Sequence, residues 1–141
     1  LEDHVFKAIA LGAPYVNAVC MGRSTLTAAM VGKTHGQLME ESYGRGEKYQ
    51  EMLLRTFTAA EQLKEKYGKD FDKIPPAAIG VYTYYDRLAT GLRQLMAGER
   101  KFALKYVDRN DLMALTREAA DVSGIPYIME TDMEEVEKIL G

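Results

Sequence analysis

The clearest hydrophobic pattern in the chain is a heptad spacing in its second half. Apolar residues recur there at intervals of four, three, four and three positions: Val81, Tyr85, Leu88, Leu92 and Leu95. This spacing predicts a helix over residues 76–97 that packs lengthwise against other helices. Gly80 and Gly91 lie inside it, and each costs roughly 1 kcal/mol of helix stability relative to alanine. A close approach of a second helix would explain them.

The N-terminal end predicts a helix, a strand and a second helix. Asp3 is expected to cap the first helix, which stops at Gly12–Pro14. Val16–Met21 is an apolar run with two β-branched residues, typical of a strand that is covered on both faces. Ser24 or Thr25 is expected to cap the second helix. This α-β-α order recurs in α/β barrels and doubly wound sheets.

The middle of the chain predicts one long helix between two polar segments. Gly32–Gly36 is expected to be a loop, because two glycines enclose polar residues there. Residues 37–67 predict an amphipathic helix that is disturbed at Gly44–Gly46 and ended by Gly68. Lys69–Lys73 is expected to be a charged connector.

Two helices are predicted at the C-terminal end. Asp108 or Asn110 is expected to cap the first, and Gly124 to end it. Thr131 has Glu134 three residues later, which is the form of a capping box and predicts the start of the last helix.

Composition excludes several classes of function. The 141 residues include 18 basic and 21 acidic side chains, for a net charge of −3, without a long run of one sign. Nucleic acid is therefore not expected as a partner. Apolar runs are too short to cross a bilayer and no signal-peptide pattern occurs, so we expect a cytoplasmic protein that does not bind membranes. The single cysteine, Cys20, excludes an internal disulfide and an iron–sulfur cluster held by this chain alone.

Candidate chemistry is concentrated in Gly22, Arg23 and Ser24. A turn that leads from a strand into a helix N-terminus offers backbone N–H groups, a hydroxyl and a guanidinium, which together bind phosphate. A turn that only caps the helix is the alternative. His35 has no carboxylate or cysteine at ligand spacing and His4 is expected to be a surface histidine, so no metal site is predicted. No catalytic residue is identified.

The residues around this turn resemble the last repeat of an FMN-dependent (β/α)₈ barrel. Asp3–Ala13 followed by Val16–Arg23 is similar to the final helix and eighth strand of FMN-binding glutamate synthase-like proteins. Asp108–Ile125 also resembles the C-terminal helical extension of that family. The resemblance implies that residues 1–36 are the end of a TIM-type barrel and that residues 37–141 are a helical extension. Because the sequence begins at Leu1 in a helical pattern, we expect a piece of a longer protein.

The resemblance implies an oxidoreductase that acts on a small-molecule substrate. In the intact protein, reduced FMN would deliver electrons to an iminoglutarate formed from 2-oxoglutarate and ammonia. Gly22 and Arg23, with Ser24 beside them, would hold the flavin phosphate. Seven barrel strands and the iron–sulfur cysteines of glutamate synthases are not in this chain. We therefore expect the chain alone to be mainly α and inactive. Its strand segment should be unpaired, converted to helix or coil, or buried through association, and we expect a homo-oligomer through exposed apolar surface.

A helical interaction or scaffold domain is the second hypothesis. It would oligomerise through the heptad seam around Leu88, and substitution of Leu88 and Leu92 by alanine would disrupt the assembly. The cluster of Tyr82, Tyr84 and Tyr85 is expected to pack in a core or an interface rather than to form an aromatic binding surface.

Overall fold

The computed structural model describes residues 1–41 and 54–141, and in this part of the chain the fold is mainly helical. Six α-helices have both ends among these residues: α1 (Glu2–Gly12), α2 (Arg23–Glu41), α3 (Ala60–Tyr67), α4 (Pro76–Gly98), α5 (Arg117–Ser123) and α6 (Met133–Leu140). Short 3₁₀ helices occupy Gly68–Lys73, Leu104–Tyr106 and Arg109–Asp111. The expectation of a mainly α chain is confirmed. None of the described helices combines the length and apolarity needed to cross a bilayer.

The helices belong to two compact units. The first comprises Leu1–Val19 and Leu92–Gly141, and the second comprises Cys20–Gly91. From the sequence we expect a division after residue 36 into a barrel remnant and a helical extension. That division rests on the family resemblance and not on compact units, and it stays a prediction.

The first unit has a small hydrophobic core around α1. Its buried members come from α1, the end of α4 and the segment after it: Phe6, Ala10, Met96 and Val107. Ile9, Leu92 and Leu112 pack against this core and are partly buried. Of the apolar positions expected in the first helix, Phe6 and Ala10 are buried and Val5 and Ile9 are partly buried. The predicted cap is wrong, because Asp3 lies inside α1 and the helix begins without a side-chain cap.

The second unit is organised around a glycine crossing between α2 and α4. A Cβ atom added to Gly80 would lie 2.9 Å from the Cα atom of Gly32 and 2.9 Å from the carbonyl oxygen of Ala28. A Cβ atom added to Gly32 would lie 2.7 Å from the carbonyl oxygen of Pro76. Only glycine permits such an approach of two backbones. The close approach expected at Gly80 is confirmed.

The crossing also explains why Gly32–Gly36 is helical, and the predicted loop is wrong. Helix α2 continues through both glycines to Glu41. A Cβ atom on Gly36 would lie 2.5 Å from the Cβ atom of Pro76, so this glycine too faces α4 at close range. Packing between the helices outweighs the cost of about 1 kcal/mol that each glycine imposes on a helix.

The segment predicted as a buried strand is exposed and irregular. Residues 16–21 form no strand in the described part of the chain, and Tyr15, just before them, is 88% exposed. Val16 and Val19 are also exposed. A strand requires a partner for its backbone groups. We expect this segment to be unpaired in the absence of the other barrel strands, and that expectation agrees with the structure. The prediction of a strand covered on both faces is wrong. The homo-oligomer stays a prediction.

The predicted long helix in the middle of the chain is interrupted. Phe57–Ala59 forms a turn before α3. Gly68 ends α3 with a φ of +51°, as predicted, because glycine adopts this conformation readily. Residues 68–73 then form a 3₁₀ helix rather than an irregular connector. The disturbance predicted at Gly44–Gly46 lies outside the described residues.

The helix predicted from Asp108 onward is wrong in its first half. Asp108 caps only a 3₁₀ turn, and the chain then extends so that Ala114 pairs with Tyr127 in an isolated parallel bridge. The α-helix starts later, after Thr116, whose hydroxyl accepts the backbone N–H of Ala119 at 3.2 Å. Backbone pairing of Ala114 competes with the helix there. The predicted stop is confirmed, because Gly124 has a left-handed conformation with a φ of +68°.

The last helix also begins differently from the prediction. Its N-cap is Asp132, in a left-handed conformation and without a side-chain capping bond. The hydroxyl of Thr131 donates instead to the carbonyl oxygen of Tyr127 at 3.1 Å. Thr131 therefore closes the preceding turn, and it does not cap α6.

Candidate functional site

Gly22, Arg23 and Ser24 lie at the N-terminus of α2, a helix of 19 residues. The first backbone hydrogen bond at this end joins the N–H of Leu26 to the carbonyl oxygen of Gly22 at 3.1 Å. An α-helix leaves the N–H groups of its first turn without intrahelical acceptors. The three residues before Leu26 therefore direct N–H groups out of the helix end, where the helix dipole is positive. The predicted turn at a helix N-terminus is present, although no strand precedes it.

The end of α2 is open to a ligand. Gly22 and Arg23 are exposed and Ser24 is partly buried. A Cβ atom on Gly22 would have no neighbour within 4 Å among the described residues. The space that a side chain at Gly22 would occupy is therefore open among the described residues. Whether Gly22, Arg23 and Ser24 bind a cofactor stays a prediction.

Two hydroxyls of the first turns of α2 are engaged with the helix itself. The Thr25 hydroxyl donates to the carbonyl oxygen of Met21 at 2.9 Å. The Thr27 hydroxyl donates to the carbonyl oxygen of Arg23 at 2.9 Å. Of the two predicted caps, Ser24 and Thr25, the Thr25 hydroxyl thus bonds to the carbonyl of the residue that precedes the turn. Ser24 is the hydroxyl nearest the helix end that these bonds leave available.

Tyr85 is a residue of this site that sequence reasoning missed. Its phenol oxygen lies 2.7 Å from the Thr25 hydroxyl oxygen, so α4 contributes directly to the start of α2. The ring of Tyr84 lies edge-on to that of Tyr85, with ring centroids 5.4 Å apart, and its hydroxyl lies 3.9 Å from the Met21 sulfur. The tyrosine cluster was visible in the sequence, but nothing in its spacing links it to residues sixty positions earlier.

The histidines give no indication of metal binding. His35 Nδ1 lies 2.6 Å from the Thr56 hydroxyl oxygen, and His4 is an exposed residue of α1. In residues 1–41 and 54–141, no group of three or more metal-ligating side chains comes together.

A cavity of about 700 Å³ lies in the first unit, between the end of α1 and the segments around residues 104–110 and 124–126. Its charged side chains are engaged in contacts of the fold. Arg109 donates to the carbonyl oxygen of Ser123, and the Lys105 ammonium lies 4.9 Å from the centre of the Tyr106 ring. Two of the charged residues that line the cavity therefore have partners within this unit.

Lys101 joins the two acidic residues of the 3₁₀ turn. Its ammonium lies 3.1 Å from Asp111 and 3.5 Å from Asp108, and the hydrogen bond to Asp111 raises the pKa of Lys101. The backbone N–H of Asn110, 2.8 Å from Asp108 Oδ1, and the nearby Lys101 charge hold the pKa of the Asp108 carboxyl below its usual value. The cluster ties the end of α4 to the turn that packs against α1.

Asp108→Asn tests this cluster, because asparagine caps a turn about as well as aspartate and changes only the charge. A carboxyl with a lowered folded-state pKa stabilises the fold above its unfolded pKa of about 3.9, and that stabilisation is lost as the pH falls. The variant should therefore be less stable than the wild type at pH 7, and the difference should shrink as the pH falls below about 4. Urea denaturation across this range measures it. Asp121→Asn, at an exposed position of α5, should parallel the wild type, and an equal offset of D108N at every pH would contradict the prediction.

Comparison with known proteins gives no relative: no family model, curated protein sequence or solved structure matches the chain significantly. The resemblance to FMN-binding glutamate synthase-like proteins therefore rests on the residues of this sequence.

Proposed function

We propose that this chain is the C-terminal part of an FMN-dependent oxidoreductase that resembles glutamate synthase, and that Gly22, Arg23 and Ser24 bind the phosphate of the flavin. In the intact protein the reaction would be the reductive amination of 2-oxoglutarate to glutamate. Residues 1–36 would complete a (β/α)₈ barrel whose other strands come from elsewhere in that protein. The observation that carries the proposal is the Gly-Arg-Ser turn, exposed at Gly22 and Arg23, at the N-terminus of a 19-residue helix.

The donor set of this turn suits a phosphate dianion. Backbone N–H groups at a helix N-terminus point at the ligand, and the helix dipole favours negative charge there. A guanidinium such as that of Arg23 donates two parallel hydrogen bonds to phosphate oxygens. Gly22 lets the backbone approach the ligand closely, because it has no side chain. Ser24 adds a hydroxyl donor beside these groups.

FMN, when bound, supplies the hydride chemistry of such an enzyme. The residues of this chain contribute binding and orientation. Held at the helix N-terminus, the phosphate would fix one end of the cofactor, and binding energy from such a non-reacting group serves to position the reacting one. Gly22, Arg23 and Ser24 have no role in proton transfer under this proposal.

Arg23→Ala tests the proposal in the intact protein. A hydrogen bond to a charged group contributes about 1.5–3 kcal/mol, so the variant should bind FMN about 10- to 100-fold more weakly, since each 1.4 kcal/mol is tenfold. Titration of the apoprotein with FMN, followed by flavin fluorescence, measures the affinity. Arg87→Ala, at an exposed position of α4, is the control and should bind like the wild type. Unchanged FMN affinity of R23A would count against the proposal.

The contacts of the heptad seam argue against the assembly through Leu88 and Leu92 that the scaffold hypothesis expects. Leu88 is 7% exposed within the chain, and Leu92 packs against the core of the first unit. The two leucines on which an assembly would depend are therefore already used inside the chain. Their substitution would test stability rather than oligomerisation. Tyr85 and Leu95 are the more exposed members of the seam, so an assembly through the seam would have to use them.

A further inference from the structure

The cavity beside the end of α1 has the size and the walls of a small-molecule site. Its volume of about 700 Å³ lies within the range of about 300–1,000 Å³ that ligand pockets occupy in proteins. All the residues that line it belong to the first unit. Its apolar walls include Ile9, Pro14, Val16, Leu104, Val107 and Pro126. Such walls take up the apolar body of a ligand, because removing apolar surface from water is favourable.

Two cationic side chains at this cavity keep hydrogen-bond donors for an anion. Lys105 and Arg109 both line it, and neither forms an ion pair within the described part of the chain. Arg109 donates to the carbonyl oxygen of Ser123, but a guanidinium has five N–H donors. The ammonium of Lys105 lies 4.9 Å from the centre of the Tyr106 ring, a contact with the face of a ring that uses no acceptor oxygen.

Asp108 also lines the cavity, and its carboxylate is already paired. It lies 3.5 Å from the Lys101 ammonium, and it accepts the backbone N–H of Asn110 at 2.8 Å. The positive charges of Lys105 and Arg109 are therefore left for a ligand. The nearby carboxylate also limits the charge of that ligand, because a phosphate dianion meets more repulsion from it than a carboxylate monoanion does.

We propose that this cavity binds a small organic carboxylate, whose apolar body lies against the walls and whose carboxylate group is held by Lys105 and Arg109. Such a ligand matches both parts of the lining. A neutral apolar molecule would leave the two cations without an anion, and inorganic phosphate would leave the apolar walls uncovered. The inference does not depend on the proposed function, since the residues of the cavity precede or follow α2 in the chain and exclude Gly22, Arg23 and Ser24.

Cinnamate and cinnamamide are the probes that test this site. They share the phenyl ring and the vinyl group, and cinnamate alone carries a charge. Isothermal titration calorimetry on the purified protein should show tighter binding of cinnamate. Lys105→Gln and Arg109→Gln should each lower cinnamate affinity about three- to tenfold, the loss expected for a charge-assisted hydrogen bond at an exposed site. Both should leave the weaker affinity for cinnamamide unchanged.

Two further variants locate the binding. Lys138→Gln removes the same charge from an exposed position of α6, and it should bind both probes like the wild type. Leu104→Asn places a polar side chain on an apolar wall of the cavity, and it should weaken both probes about threefold or more. Far-UV circular dichroism of each variant shows that it has folded. If Arg109→Gln loses its helical spectrum, Lys105→Gln decides the question.

The proposal stands if the protein prefers cinnamate and if the folded variants of the two cations reduce that preference. It is overturned if cinnamate shows no saturable binding, or if both probes bind equally. It is also overturned if Lys105→Gln binds cinnamate as tightly as Lys138→Gln does. Displacement of cinnamate by an equal concentration of inorganic phosphate would show a simple anion site, and this too would overturn the proposal.

Discussion

Replacing Phe6 by alanine is expected to lower the free energy of unfolding of the chain by about 3–5 kcal/mol, the usual cost of removing a buried aromatic side chain. Phe6 is 6% exposed, and its core has three other buried members among the described residues, Ala10, Met96 and Val107. We expect these few neighbours to fill the space left by the Phe6 ring only in part, so much of the cavity should persist. Urea denaturation followed by far-UV circular dichroism measures the change.

Phe102→Ala is the matched control for this substitution. It removes the same side chain from the same unit, but Phe102 is 85% exposed, and surface substitutions of this kind usually change stability by less than about 0.5 kcal/mol. The comparison isolates burial, since the chemistry of the two variants is identical. Equal losses of stability in F6A and F102A would contradict the burial of Phe6 in the core of the first unit.

Gly32→Ala has the second largest expected effect, a loss of stability, although helix propensity alone predicts a gain. Alanine in a helix is more favourable than glycine by about 1 kcal/mol. The new Cβ atom would lie 2.7 Å from the carbonyl oxygen of Pro76 and 3.1 Å from the Cα atom of Gly80, and backbone atoms cannot yield as a flexible side chain does. Forcing α2 and α4 apart should cost about 1–3 kcal/mol net. The urea midpoint should fall accordingly.

Gly98→Ala shows what the same change does without a neighbour. Gly98 is the last residue of α4, and a Cβ atom there would have no described neighbour within 4 Å. Its stability should therefore stay the same or rise by up to about 1 kcal/mol. A Gly32→Ala variant that is as stable as Gly98→Ala would contradict the glycine crossing.

The helix with the longest regular heptad spacing was predictable from the sequence. The helix over 76–97 is observed as Pro76–Gly98, because its apolar positions repeat over several turns. The stops at Gly68 and Gly124 were also predictable, since both glycines adopt positive φ angles that other residues adopt at a cost. These features depend on local chemistry, which the sequence contains directly.

Features that depend on partners distant in sequence were not predictable. The helix through Gly32 packs closely against α4 at Gly80, where neither residue has a side chain. The late start of α5 follows from the pairing of Ala114 with Tyr127. The apolar run Val16–Met21 has the composition of a strand, but a strand forms only against another strand. Period and propensity identify what a segment prefers, and tertiary contacts decide between its alternatives.

The same distinction applies to the candidate site. Gly22, Arg23 and Ser24 were found from residue types alone, and the structure places them at a helix N-terminus. Tyr85 was not found, because its link to Thr25 joins residues sixty positions apart. The identity of the ligand depends on the resemblance to FMN-dependent barrels, which is why a direct test of flavin binding has the greatest weight.

The most direct test is the visible absorption spectrum of the protein, purified after its gene is expressed from the natural start codon. The account predicts the bands of oxidised flavin, and it predicts that denaturation releases FMN rather than FAD or riboflavin. A colourless protein that also fails to take up added FMN would contradict the account and would leave the helical scaffold as the remaining hypothesis.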